Sequence, residues 1–240
     1  TTITGLGMGS DFVMNQGTVT TPLWVNYTGG ITYNSLETTE VLLGTGDDTF
    51  TVTDTAAGAI TAVHGGGGND HLIVTGGGGP GSPLALFGDT TDDGSRFASD
   101  GSVPSGSGNA FTNTGNDTID ASASTAGVTI YGGGGNDIIT GSQGDDQLAG
   151  GEGDDQIYAQ DGNNHVYGDS AFNLDLPNHD LTVTVTGTPG SDTITSGSGN
   201  NIIFGDHGII TQAPGTVRLH TTGLVTQVET TNISVGAADS

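Results

Sequence analysis

Large apolar residues return every nine positions through the middle of the chain: Ile139, Leu148, Ile157 and Val166. Polar residues flank each of them, and a glycine-rich run separates one from the next. This spacing has no helical periodicity. It predicts a repeating unit of one short strand and one turn, with a single side chain pointing inward per unit. Elsewhere the pattern is simple alternation. "GIITQAPGTVRLHTTGLVTQVETT" alternates apolar and polar residues from Gly208 onward, with turn signals at Pro214-Gly215 and Thr222-Gly223, and predicts antiparallel strands or hairpins. "LWVNYTGGITYNS" (Leu23 to Ser35) and "LTVTV" (Leu181 to Val185) predict further strands.

The periodic stretch divides without a gap into "GGGGNDIIT" (Gly132 to Thr140), "GSQGDDQLA" (Gly141 to Ala149), "GGEGDDQIY" (Gly150 to Tyr158) and "AQDGNNHVY" (Ala159 to Tyr167). Position four is Gly135, Gly144, Gly153 and Gly162. Position six is Asp137, Asp146, Asp155 and then Asn164. Degenerate copies place Asp11, Asp48, Asp70, Asp117, Asp192 and Asn201 at position six. A larger duplication relates "TGDDTFTVTDTAAGAITAVHGGGGND" (Thr45 to Asp70) to "TGNDTIDASASTAGVTIYGGGGND" (Thr114 to Asp137). Three strands end alike, in "LFGD" at Asp89, "VYGD" at Asp169 and "IFGD" at Asp206. The expected organisation is N-terminal strands with a degenerate repeat over 1–42 and a first roll segment over 43–89. A Gly/Ser-rich insertion follows over 90–113, then the main roll over 114–169. The last repeats (187–206) and β-hairpins fill 170–240.

A six-residue turn and a three-residue strand make half a coil. Two nonapeptides complete one coil with a turn on each edge, and coils stack about 4.8 Å apart through backbone hydrogen bonds. Glycine serves the turns because several positions need positive φ or close backbone approach. Residues eighteen apart then lie over one another: Asp137 over Asp155, and Asp146 over Asn164. Stacked carboxylates repel unless a cation lies between them. Ca²⁺ takes six to eight oxygen ligands in flexible geometry, which Asp carboxylates and turn carbonyls supply. Mg²⁺ demands tighter octahedral geometry. Softer metals are disfavoured by the lack of thiolates and paired His. Metal binding would supply folding free energy that a thin core does not.

Composition sharpens this picture. The chain has 240 residues, 45 Gly, 27 acidic residues against 2 basic ones (Arg96 and Arg218), a formal charge of −25 and no Cys. Such a chain is repelled by nucleic-acid phosphates and by anionic membrane surfaces. Disulfides cannot staple it. No stretch reaches transmembrane length. There is no initiator Met, and the expectation is a processed or longer polypeptide.

At this point the "GGxGxDxUx" run from Gly132 to Tyr167 resembles the RTX (repeats-in-toxin) family of secreted bacterial proteins. The resemblance implies an all-β, calcium-stabilised parallel β-roll or β-solenoid, several Ca²⁺ ions, and folding outside the cell. Carried over by position, it makes Asp137, Asp146 and Asp155 ligands through their carboxylates. The glycines at positions two and four (Gly133, Gly135, Gly144, Gly151, Gly153, Gly162, and Gly66 and Gly68 in an earlier copy) ligate through carbonyls. Asn164 and Asn201 depart from the Asp pattern and imply weaker or terminal sites. Ala159 and Gln160 replace the first two glycines and imply that the roll is ending.

For Asp11, Asp48, Asp70, Asp117 and Asp192, ligation stands beside a second reading, ordinary Asn/Asp-Gly turns. Asp169 and Asp206 either ligate or cap turns. "DTTDDG" (Asp89 to Gly94) reads equally as a calcium loop or a solvated acidic loop. The six His lack metal-binding spacing, and no nucleophile motif is present, so no catalytic residue is assigned. The expected function is a structural extracellular module of a bacterial filament, matrix fibre or adhesin. It would self-associate head to tail or stack on neighbouring repeats of a longer chain, without nucleic acid or membrane insertion. The alternative is a glycan-binding or substrate-steering module of a secreted enzyme. One Trp, five Tyr and seven Phe make a thin aromatic supply for that role.

Overall fold

The computed structural model describes residues 2–3, 12–15, 18, 20–21, 23–27, 31–32, 35–89, 114–169, 171–175, 180–184, 189–212, 225–230 and 236–240. The chain divides into two compact units, Thr1–Leu36 and Glu37–Ser240. In the first, Phe12–Asn15 pairs antiparallel with Trp24–Tyr27, and Thr2–Ile3 with Ile31–Thr32. Asp11 lies outside the described residues.

The second unit is built as the nonapeptide dictates. Short parallel strands alternate between two sheets, so that each coil contributes one strand to each. One sheet has seven strands: Thr38–Leu42, Ile60–Gly66, Leu84–Asp89, Thr129–Gly134, Gln147–Glu152, His165–Tyr167 and Ile202–Phe204. The other has six: Thr49–Val52, His71–Val74, Thr118–Asp120, Ile138–Thr140, Gln156–Tyr158 and Thr193–Thr195. This is an all-β parallel solenoid, with no helix among the described residues. Its first strand is Thr38–Leu42, paired with Ile60–Gly66. The solenoid therefore begins inside the stretch expected to belong to the N-terminal strands.

Register follows the apolar period. Position eight forms one inward column per sheet: Val63, Leu86, Ile130, Leu148 and Val166 on one, and Leu72, Ile119, Ile139 and Ile157 on the other. All nine are fully buried. Each such side chain contributes roughly 1.5–3 kcal/mol of transfer free energy.

A second apolar layer was not expected. Ala62, Phe87, Tyr131, Ala149, Tyr167 and Phe204 point away from the inward column, yet they are buried as one cluster, with Ile210 packed against it. Tyr167 and Phe204 stack at 5.3 Å between ring centroids. Ile210 comes from the hairpin Gly208–Gln212 with Val225–Thr230, which sits where the alternating pattern predicted antiparallel strands. The hairpin Ala171–Asp175 with Asp180–Thr184 matches the other alternating segment.

Candidate metal centre

The turns on the two edges of the solenoid are chemically different. On the first edge the chain passes from the seven-stranded to the six-stranded sheet. Each coil there presents an Asp at position six, and every backbone N–H in the series donates to the next carboxylate. Asp48 N–H donates to Asp70 Oδ1 at 2.8 Å, Asp70 to Asp117 at 2.7 Å, and Asp117 to Asp137 at 2.8 Å. Asp137 continues to Asp155 at 2.8 Å, Asp155 to Asp192 at 2.9 Å, and Asp192 to Asp239 at 3.1 Å. Seven aspartates thus form one uninterrupted ladder, Asp48 through its N–H and the other six through their carboxylates. Asp239 was not among the expected ligands. Its turn is split across the chain, with "GD" at 205–206 and "GAAD" at 236–239, so no contiguous motif marks it.

Oδ1 is satisfied along this ladder and Oδ2 is not. The Oδ2 atoms of Asp70, Asp117, Asp137, Asp155 and Asp192 are buried without a hydrogen-bond partner. Each folds back over the first glycine of its own turn (Gly65, Gly88, Gly132, Gly150, Gly168), so close that a Cβ on that glycine would collide with it. Burial is the largest cause that raises these groups. It lifts Asp137 to about 8, Asp155 to about 9, Asp117 to about 7 and Asp192 to about 6, against the opposing backbone hydrogen bonds. A column of buried acceptor oxygens lacking donors has the chemistry of a hard-cation site. Among the described residues no three acidic or His side chains converge. A cation held on this edge would draw on the ladder carboxylates and the turn carbonyls, the oxygen donors a hard cation prefers.

The backbone around the ladder leaves room for nothing but glycine at two of its positions. Gly151 and Gly153 adopt φ of 118° and 122°, where L side chains are strained. A Cβ on either would strike the carbonyl of Gly133 or Gly135 in the neighbouring coil.

Asp89, Asp169 and Asp206 occupy position two of three turns on this same edge, where Gly133 and Gly151 stand in the uninterrupted turns. The chain departs after each of them and returns at position three. Asp89 Oδ1 accepts from Gly115 N–H at 3.1 Å, Asp169 Oδ1 from Gly190 N–H at 2.7 Å, and Asp206 Oδ1 from Ala237 N–H at 2.7 Å. Each acceptor carboxylate thus clasps the returning strand two residues before the ladder Asp. Through Oδ1, Asp169 and Asp206 cap the returning turn, while Asp169 Oδ2 is buried without a hydrogen-bond partner, as the ladder Oδ2 atoms are. Asp89 also accepts from Gly134 N–H at 2.8 Å, and burial pushes it up to about 9. The rest of the "DTTDDG" loop lies outside the described residues.

On the second edge, Asp146, Asn164 and Asn201 stack in the same fashion. Val128 N–H donates to Asp146 Oδ1 at 2.8 Å, Asp146 N–H to Asn164 Oδ1 at 2.9 Å, and Asn164 N–H to Asn201 Oδ1 at 2.9 Å. The expected superpositions of Asp137 on Asp155 and of Asp146 on Asn164 are therefore the observed ones.

Residues 128–148, 140–173 and 184–208 match the family model of the RTX calcium-binding nonapeptide repeat, in four copies. No curated protein and no solved structure matches the chain. Residues 128–173 and 184–208 thus carry RTX nonapeptide repeats, a kind of repeat that binds Ca²⁺.

Proposed function

We propose that this RTX-repeat solenoid is an extracellular structural module whose folding is driven by Ca²⁺ bound along the Asp48–Asp239 edge, and which stacks end to end with further repeats. The repeat solenoid is a calcium-binding structural fold, and RTX proteins are typically secreted by bacteria. Among the described residues no helix is long and apolar enough to cross a membrane.

The observation that carries the reading is the column of orphaned Oδ2 atoms on the first edge. Left alone, an ionised buried carboxylate with one oxygen unpartnered is destabilising. A cation shared between coils reverses that sign, and folding and binding become one equilibrium. Calcium is abundant outside the cell, so a chain built this way stays unfolded until export and folds after it. End-to-end stacking is supported by the last coil. Ile203 continues the inward column beyond Val166, yet it is 43 % exposed. Among the described residues its strand pairs on one side only. An open apolar column and an unpaired strand edge fit another coil of the same design. Adhesin, filament and matrix fibre are assemblies in which such stacking serves.

Circular dichroism and thermal melting of the metal-depleted chain, with and without millimolar Ca²⁺, test the reading together with light scattering. The expected result is a gain of β-structure and a higher melting temperature with Ca²⁺, accompanied by concentration-dependent growth in particle size. Unchanged spectra would overturn the calcium reading. Full folding into a monomer at every concentration would overturn the stacking reading.

A further inference from the structure

The repeat places equivalent six-residue turns on both edges, but the atoms around position six are not equivalent. On the second edge every polar atom of the stack has a protein partner. Asp146 Oδ1 accepts from the Ser142 hydroxyl at 2.6 Å as well as from Val128 N–H, and Asp146 Oδ2 accepts from Ser142 N–H at 2.8 Å. Asn164 turns its Nδ2 into its own turn. There it donates to the carbonyls of Ala159 at 3.0 Å, Gln160 at 3.4 Å and Asp161 at 3.5 Å. Asn201 Nδ2 reaches back to the Gly197 carbonyl at 3.5 Å. None of these three side chains carries a buried unpartnered atom, whereas five of the ladder Asp do.

The backbone differs as well. At position two of the ladder turns, Gly133 and Gly151 adopt φ of 124° and 118°. On the second edge Gln160 holds that position at φ 59°, the compact left-handed conformation open to residues with a side chain. Ser142 holds it in the preceding turn, with its hydroxyl and N–H both aimed at Asp146.

We infer that cations occupy only the first edge, and that on the second edge the Asn164 carboxamide and the Ser142 donors stand where an ion would otherwise be. This inference rests on the calcium reading of the first edge. A carboxamide is a carboxylate with one acceptor oxygen exchanged for an NH₂ donor. In the Asn164 turn that donor faces three carbonyl oxygens. A carboxylate oxygen in its place would face them with like polarity and would require a cation between. Positions two and six together thus decide turn by turn whether the protein or an ion closes the coil: Ser142 supplies the donors to Asp146, and the carboxamide supplies its own at Asn164. Asp146, Asn164 and Asn201, with Gly144 and Gly162, then act as hydrogen-bonding elements of a metal-free edge. The loss of Asp at position six marks self-sufficient turns rather than weak sites.

Native mass spectrometry of the full chain, titrated with Ca²⁺, counts the ions. Thermal melting in Ca²⁺ and in chelator supplies the second measurement. Asn164→Asp is expected to bind at least one more ion than the wild type and to melt lower in chelator. Asp155→Asn is expected to bind at least one fewer. Asn164→Ala is expected to lower the melting temperature equally in Ca²⁺ and in chelator, because it removes a donor and no ligand. An unchanged ion count in Asn164→Asp, or loss of an ion in Asn164→Ala, would overturn the one-edged arrangement. A wild type that binds no Ca²⁺ would instead bring down the calcium reading itself, and the wild-type titration alone reveals this.

Discussion

Asp155 carries the energetic logic of the first edge in a single side chain. Its Oδ1 takes a charge-assisted hydrogen bond from Asp137 N–H, while its Oδ2 is buried without a donor. Burial and the nearby Asp137 carboxylate raise it to about 9, and burial raises Asp137 to about 8. An unfolded Asp titrates near ~3.9. Between these values the metal-free native state holds protons that the unfolded state has released, so its stability falls as pH rises. The metal-depleted solenoid should therefore melt highest near pH 4–5 and lose stability progressively toward pH 9. Ca²⁺ should displace those protons and stabilise most at the alkaline end. Melts of metal-depleted and Ca²⁺-loaded protein at pH 5 and pH 8 check both trends, and a metal-free melting temperature that rises with pH would contradict them. Residues of this kind were legible in the sequence wherever the nonapeptide was contiguous, as at Asp137 and Asp155. Asp239 was not, because the glycine preceding it in space, Gly205, lies far from it in the chain. The donors on Asp146 were also hidden. Ser142 reads as one more polar turn residue until its hydroxyl is placed against the carboxylate.

At the scale of the element, the six-plus-three division of the nonapeptide accounts for the strand lengths and for the inward columns. Periodicity shows which residue of a strand faces inward. It does not show that the opposite face is also covered, and the Tyr131–Tyr167–Phe204 cluster lay outside its reach for that reason. The excursions were legible as composition shifts, and the shared "GD" endings at Asp89, Asp169 and Asp206 marked where the strands stop; what the sequence did not show is that each of these Asp holds the chain on its return. All three leave between positions two and three of a first-edge turn, and at each the glycine of position two is an Asp that clasps the returning chain. Joining residue 89 directly to Thr114, with Asp89→Gly, would restore the string G-G-T-G-N-D of an uninterrupted turn. Loop closure depends only weakly on length, and the clasp is dispensable when no gap needs closing. That deletion variant should fold in Ca²⁺ with a melting temperature within a few degrees of the parent and with the same ion count. A collapse of the cooperative transition would show that the excursion is part of the solenoid's structure.

Over the whole molecule, a formal charge of −25 opposes compaction. Part of that repulsion is long-range and is screened by any salt, while the ladder requires an ion that can be buried. Raising NaCl from about 0.01 M to 0.15 M shortens the Debye length from about 30 Å to about 8 Å. In the metal-depleted chain this should lift the melting temperature modestly. Millimolar Ca²⁺ at the same ionic strength should lift it much further, and equal effects from the two salts would argue that diffuse screening suffices. The excursions carry a consequence at this scale too. Because they all depart from one corner, and because coils advance by about 4.8 Å, their points of departure form a straight row. The first and second are three coils apart, roughly 14 Å, and the second and third one coil, roughly 5 Å. The solenoid is thus a ruler as well as a support. Each graduation is marked by an aspartate, Asp89, Asp169 or Asp206, at which the chain leaves the coil and to which its returning backbone is fastened.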